Sequence, residues 1–204
     1  MSSGQVGAQE IGVQEAGARS ASDWPIFLRH WIRDPLGIGA LFPSSARVAQ
    51  AMARQLQLDR PGVIVELGAG TGSLTRGLIA AGCPAERLIV VESEPQLTEY
   101  LAQRIPGPRA VCGDAREVGT LMDEIGVKDV ATVISSLPIK WFPLEDQRAT
   151  LLPCLERLGP GGSFIQLTNA WASPVQAKAL GIHAKQVARI WWHFLPVQIW
   201  RYWQ

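Results

Sequence analysis

"VIVELGAGTGSL", Val63 to Leu74, is the stretch on which the fold turns. It joins a short β-prone run to three glycines spaced two apart, Gly68, Gly70 and Gly72, with a helix-like segment opening at Ser73. A strand that feeds a tight glycine turn and then a helix is the first βα unit of an α/β sheet. Glycines let the backbone turn sharply and approach a ligand closely, next to the exposed N–H groups of a helix start. Two nucleotide cradles are excluded by spacing. A dinucleotide fingerprint needs glycine three positions after Gly70, where Ser73 stands, and a P-loop needs a Gly-Lys-Ser/Thr that does not follow. Glu66, at the end of the strand, is expected to repel a pyrophosphate as well.

Working outward, the alternation continues. "RLIVVE" (87–92), "RAVCGD" (109–114), "DVATVISS" (129–136) and "GSFIQLT" (162–168) read as further strands, and with "GVIVEL" (62–67) they make five in parallel. Helices are expected from Ser73, over 94–104 with Pro95 in the first turn, and over 144–157 after Pro143. Near the end, "KQVARIWWHF" (185–194) and "VQIWRYW" (197–203) are joined only by Leu195 and Pro196. That link is too short for a crossover helix and suits an antiparallel hairpin. The expected fold is therefore α/β, a seven-stranded, mostly parallel sheet with a C-terminal antiparallel hairpin. Trp191, Trp192, Trp200 and Trp203 sit on that hairpin, where large rings are expected chiefly in the core or covering an edge.

The chain has 204 residues, 47% hydrophobic and 18% charged, values of a single globular domain. It has no apolar run of the ~18 residues that a spanning helix needs. A formal net charge of +1 gives no global attraction to nucleic acid. Cys83, Cys112 and Cys154 are too scattered for a disulfide framework or a metal knuckle and are read as small buried hydrophobes in a reducing compartment. Met1 to Ala21, rich in Gly, Ala, Ser and Gln, reads as a disordered tail.

The E-x-G-x-G-x-G pattern from Glu66 to Gly72 resembles motif I of the class I S-adenosylmethionine-dependent methyltransferases, and the strand plan resembles their Rossmann-like fold. The resemblance implies that Glu92, ending the second strand, accepts hydrogen bonds from the two ribose hydroxyls. It likewise implies that Asp114, ending the third, stands near the adenine amine. A carboxylate suits both tasks because it accepts two donors at once. Ser135, Ser136, Leu137 and Pro138 replace the Asn/Asp-Pro-Pro-Tyr set with which adenine and amide N-methylases grip a planar nitrogen, which argues against a planar acceptor. The layout also resembles the ribosomal RNA adenine dimethyltransferases, but the basic RNA surface and added helical domain of those enzymes are missing here.

The acceptor is pointed to by what precedes the core. Read as a helix, Asp23 to Asp34 places Trp24, Phe27, Leu28 and Trp31 on one face, Arg29 and Arg33 on the other with His30 beside them, and Ile26 toward the polar side. An apolar, tryptophan-bearing face opposite cations suits an anionic membrane surface; a helix capping the core would show the same pattern. "DPLGIGALFPSSARVAQAMA", Asp34 to Ala53, resembles the N-terminal signature of bacterial phospholipid N-methyltransferases of the soluble, phosphatidylethanolamine-methylating type. It carries Pro35, Gly39, Ala40, Pro43, Ser44 and Ser45, and the likeness extends through "SSLP" and "SPV" (Ser173 to Val175). Ser44 alone would be a plain helix N-cap. One departure is "LTNAWASPV", where Leu167, Thr168 and Asn169 stand in place of the family's Phe-Thr-Tyr and the aromatic is displaced to Trp171.

What this resemblance implies is an enzyme that methylates the ethanolamine head group of phosphatidylethanolamine, and its mono- and dimethyl derivatives, toward phosphatidylcholine. The implied S-adenosylmethionine contacts are Pro43, Ser44, Ser45, Glu66, Gly68, Ala69, Gly70, Gly72, Ser73, Leu74, Glu92, Ser93, Gly113, Asp114, Ala115 and Ser135. Ser136, Leu137, Pro138, His30 and Trp171 are the catalytic candidates. Trp24, Phe27, Leu28, Arg29, Trp31, Arg33, Lys140 and Trp141 are the candidates for lipid contact. Residues 22–61 would form the membrane and lid segment, with Gly39 to Ser45 a loop closing over the cofactor, and residues 62–204 the methyltransferase core. The expected setting is cytoplasmic, a monomer peripheral on the cytoplasmic face of the inner membrane, with no nucleic acid and no metal. An RNA methyltransferase is the runner-up, and a small-amine methyltransferase and a catalytically silent cofactor-binding module also remain open.

Overall fold

The computed structural model describes residues 44–192 and 195–204. The chain order of strands is β1 (Val63–Leu67), β2 (Leu88–Glu92), β3 (Arg109–Cys112), β4 (Val130–Ser135), β5 (Leu158–Thr168), β6 (His183–Trp192) and β7 (Leu195–Trp203). Interleaved with them are α1 (Ser44–Ala53), α2 (Ser73–Ala80), α3 (Pro95–Arg104), α4 (Val118–Glu124), α5 (Leu144–Arg157) and α6 (Ala177–Leu180). One sheet contains all seven strands, in the order β3-β2-β1-β4-β5-β7-β6. β1 to β5 are parallel, and β7 runs antiparallel to both β5 and β6.

β2 and β4 are buried at every residue, as near-continuous apolar strands in a parallel sheet covered on both faces must be. On one side Ile64, Leu78, Leu88, Val90, Leu101, Ile134, Ile165 and Ile199 form a continuous core. α1 reaches it through α2 by a close approach: a Cβ at Gly77 would overlap that of Ala49, and Ala49 and Met52 are buried beneath it.

Several expectations are corrected. Leu195 and Pro196 are paired strand residues, opposite Trp192 and Trp191, so the hairpin is longer than its apolar runs and its reversal falls before them. β5 begins at Leu158, because Gly159 to Gly162 continue the strand with a register irregularity against β4. Ser44 and Ser45 belong to the first turn of α1 and not to the end of a loop. Cys112 is exposed, since β3 is an edge strand, whereas Cys83 and Cys154 are buried, and burial pushes their thiols up to about 11 and about 12. Trp191 is exposed; among the described residues no strand lies beyond β6. α4 and α6 are too short to have announced themselves by periodicity.

The parallel strands all deliver their carboxyl ends to one side of the sheet, and chain order reverses between β1 and β4. A crevice at such a reversal is where ligands bind in open α/β sheets.

Candidate active site

The turn after β1 is held open by backbone conformation. Gly68, Gly70 and Gly72 have φ of 74°, 56° and 75°, the left-handed region that costs other residues strain. Their surroundings differ. A Cβ on Gly68 would come within 2.6 Å of Leu137 Cδ2, and one on Gly72 would overlap Ile105 and Leu101, so both glycines are needed for packing too. A Cβ on Gly70 would meet nothing within 4 Å, which leaves its side of the turn open to a ligand. The Gly70 N–H donates to Glu92 Oε2 at 2.7 Å, and Glu92 Oε1 accepts from the Glu94 N–H at 3.0 Å and from the Ser93 hydroxyl at 3.3 Å. The end of β2 is thereby locked to the glycine turn. Gly113 N–H in turn donates to the Glu92 carbonyl at 3.0 Å, which brings in the end of β3.

Glu66 lies wholly buried, and neither carboxyl oxygen has a hydrogen-bond partner; nor does the neighbouring Thr75 hydroxyl. Burial pushes the Glu66 carboxyl up to about 8, against a partial pull downward from the approach of Thr75 and with a further push from the Glu92 charge. At neutral pH Glu66 is therefore mostly uncharged, which corrects its expected part in repelling phosphate. Glu92, bonded to the Gly70 and Glu94 N–H groups, is the acid that stands at the turn itself.

Asp114 Oδ1 accepts from the Arg116 N–H at 2.8 Å, and both carboxyl oxygens accept from the Arg116 guanidinium. Half-burial alone would raise the carboxyl, but these bonds and the guanidinium charge outweigh it and hold it below the usual carboxylate range. Arg116 also reaches Asp146 at 3.6 Å, tying this loop to α5. A glycine turn open at Gly70 and flanked by carboxylates, with the Arg76 guanidinium spent on the Thr71 carbonyl and that of Arg116 on Asp114, fits a neutral ribose and adenine better than a pyrophosphate.

After β4, the Ser136 hydroxyl donates to the Gly68 carbonyl at 2.8 Å, and the Leu137 N–H donates to Ser135 Oγ at 3.3 Å. The Leu137 carbonyl accepts from the Ile139 N–H and the Gln166 side-chain amide, both at 2.8 Å. This loop is thus laced onto the cofactor turn by its own serines.

Comparisons with known proteins decide the family. No family model matches the chain. It is 32% identical over 150 residues, 72% of its length and 78% of the other protein's, to an ornithine lipid N-methyltransferase from Singulisphaera acidiphila. The chain belongs to the class I S-adenosylmethionine-dependent methyltransferases. A second relative, ribosomal RNA small subunit methyltransferase A from Myxococcus xanthus, is 36% identical over 114 residues, which are 55% of this chain and 38% of that protein. Among solved structures, the 1,6-didemethyltoxoflavin-N1-methyltransferase of Burkholderia thailandensis, determined with S-adenosylhomocysteine bound, superposes with a TM-score of 0.64 at 18% identity. That match covers 96% of this chain and 98% of the other. S-adenosylmethionine is the cofactor.

In this methyltransferase the turn, Glu92, Ser93, Gly113, Asp114, Ala115, Ser135 and Ser136 converge at the carboxyl ends of β1 to β4, as the sequence led us to expect. Lys140 and Trp141 follow on the β4 loop, with the ammonium 5.1 Å from the ring centroid, so one face of that ring already carries a cation. Trp171 follows β5 and meets Trp191 edge-on, ring centroids 6.3 Å apart. Trp24, Phe27, Leu28, Arg29, His30, Trp31, Arg33 and Pro43 lie outside the described residues, as do the side chains of Ser44 and Ser45.

Two positioning residues of the methyltransferase escaped the sequence. Buried Gln147 on α5 donates to the carbonyls of Ile139 and Phe142 and accepts from the Gln176 N–H at 2.8 Å, so one side chain joins the loops after β4 and β5. Buried Gln166 holds the Leu137 carbonyl from the next strand. A glutamine in an otherwise apolar strand, as at position 166, was the available signal. The "SPV" residues have a structural part: the Ser173 hydroxyl donates to the Val175 carbonyl and shares a 2.8 Å hydrogen bond with the buried Tyr202 hydroxyl. Among the described residues no cluster of three or more metal-ligating side chains occurs, and no helix is long and apolar enough to cross a membrane.

Proposed function

We propose that this methyltransferase acts on the amine of a membrane-lipid head group, with phosphatidylethanolamine and its partly methylated derivatives as substrates. The observation that carries this reading is the 32% identity to an ornithine lipid N-methyltransferase across most of both chains. The acceptor loop agrees with it. Ser136 spends its hydroxyl on Gly68 and Leu137 packs against the same glycine, leaving no amide or carboxylate there to clamp a planar base.

S-adenosylmethionine, when bound, supplies an electrophilic methyl group on sulfur. Gly70, Glu92 and Asp114 hold it, and the loop of Ser135 to Pro138 fixes the depth at which an amine can enter; such alignment supplies several kcal/mol of a barrier on its own. An ammonium has no lone pair, so a proton must leave the amine first. The Leu137 carbonyl is engaged twice, so a water held by the Ser136 carbonyl, or His30, takes the proton. Trp171 is our candidate for holding an increasingly methylated cation against its ring, a contact worth about 0.5–2 kcal/mol. The segment 23–34, with its tryptophans and arginines, gathers the enzyme onto anionic lipid at the cytoplasmic face of the membrane.

The test is incubation with radiolabelled S-adenosylmethionine and vesicles holding either phosphatidylethanolamine or ornithine lipid, followed by thin-layer separation. Label in a ladder of methylated ethanolamine lipids supports the proposal; label in ornithine lipid alone moves the substrate but keeps the lipid class. RNA is the second reading, favoured by the 36% match to the ribosomal RNA enzyme. Label in RNA and none in either lipid would establish it instead.

A further inference from the structure

The large exposed side chains are not scattered. Trp141, Trp171 and Trp191 are each 62% exposed, and all three lie at the carboxyl ends of the parallel strands, the end that carries the active site. Trp141 follows β4 and Trp171 follows β5. In register, Thr168 at the end of β5 pairs with Gln198, Gln198 with Arg189, and Trp191 lies two residues further out, opposite Pro196. The other exposed large hydrophobics among the described residues are elsewhere, Leu58 ahead of β1 and Tyr100 on α3.

Charge points to the same end at one residue, Arg189, which pairs with Gln198; Arg157, just ahead of β5, is held by Asp123, and Arg201, opposite Lys185, reaches back to the Gly161 carbonyl. No aspartate or glutamate occurs after Glu156, while Arg157, Lys178, Lys185, Arg189 and Arg201 do, in a chain whose net charge is only +1. Arg189 is exposed and two residues from Trp191, so both project from one face of β6. Edge-on contact between Trp171 and Trp191 makes the two rings one aromatic surface. Tryptophan prefers the boundary between hydrocarbon and headgroups, and unpaired cations beside it favour an anionic leaflet.

We propose that the Trp171–Trp191 pair, with Arg189, is an interfacial anchor that seats the active-site end of the sheet on an anionic lipid bilayer. The proposal rests on the lipid reading above and adds a contact on the far side of the sheet from β1. It makes the hairpin a working element that turns the crevice toward the membrane plane, so that a head group reaches the loop of Ser135 to Pro138 without leaving the bilayer.

The test uses the full chain as wild type, Trp191→Ser, Trp191→Phe and Arg189→Gln, sedimented with vesicles of phosphatidylethanolamine and phosphatidylglycerol or of phosphatidylcholine alone. Titration with S-adenosylmethionine shows that each variant is folded. Trp191→Ser is expected to lose about tenfold in vesicle affinity, with Trp191→Phe recovering most of it. Arg189→Gln is expected to lose affinity only for vesicles that contain phosphatidylglycerol. Vesicle binding by Trp191→Ser within twofold of wild type would overturn the anchor, as would a loss confined to binding of an RNA oligonucleotide. Methyl transfer to detergent-dispersed phosphatidylethanolamine separates the two ideas. Wild type labelling dispersed lipid while Trp191→Ser keeps full vesicle binding sinks the anchor alone; no label in dispersed lipid with Trp191-dependent vesicle binding sinks the substrate and keeps the anchor.

Discussion

Gly68 and Gly70 look equivalent as letters and differ as chemistry. Gly70→Ala meets only backbone strain, on the order of 1–2 kcal/mol, while its new methyl occupies the open side of the turn. Calorimetry should show a modest fall in Tm with at least a tenfold loss of S-adenosylmethionine affinity. Gly68→Ala must also displace Leu137, adding about 1–3 kcal/mol, so stability and affinity should fall together. Glu66 makes a pH prediction. Its folded pKa of about 8 stands above the ordinary value of 4.5, so between those values the folded state holds more proton than the unfolded one. Stability should accordingly decline as pH rises through that window and level off above it, by on the order of several kcal/mol. Glu66→Gln should flatten that slope in denaturant titrations between pH 5 and pH 8. The glycines and all three strand-end acids were legible in the sequence because spacing relative to a strand is local. The protonation of Glu66 was not, because it depends on burial and on residues such as Thr75 and Glu92 that only the fold brings near.

At the scale of elements, the β strands and the longer helices were legible from runs and periods, but the links between loops were not. Gln147 reaches from α5 to residues 139, 142 and 176, and no pattern in the helix distinguishes it from an ordinary polar position. Gln147→Leu keeps the volume and removes three bonds, which should cost about 2–4 kcal/mol. Because the cofactor turn is untouched, S-adenosylmethionine affinity should hold while kcat falls, a split that steady-state kinetics and titration together would reveal. The hairpin was legible as a hairpin and misjudged as to surroundings: alternation tells which side chains share a face, not whether another layer covers that face. For β6 no strand among the described residues lies beyond it, and Trp191 stays in solvent.

For the whole molecule, strand direction concentrates everything chemical at one end of the sheet, and that much followed from the βα alternation alone. The asymmetry of charge was also available, since the stretch beyond Glu156 holds no carboxylate, but a net charge of +1 conceals it. Binding to anionic vesicles should weaken steeply between about 0.05 and 0.5 M salt, as the Debye length contracts from ~14 to ~4 Å, and binding to neutral vesicles should change little. Co-sedimentation across a salt series would measure both.

One consequence of the strand order reaches into how the protein breathes. β6 touches the sheet only through β7, although it precedes β7 in the chain. β7 therefore cannot leave β5 without carrying β6 out of the sheet, so opening at the β5–β7 seam releases the whole hairpin as one cooperative unit of local unfolding. Tyr202 is the latch of that unit, holding Ser173 by its hydroxyl and Phe164 by its ring. In Tyr202→Phe, amides of β6 and β7 should exchange with deuterium faster and in concert, while those of β1 and β4 keep their wild-type protection.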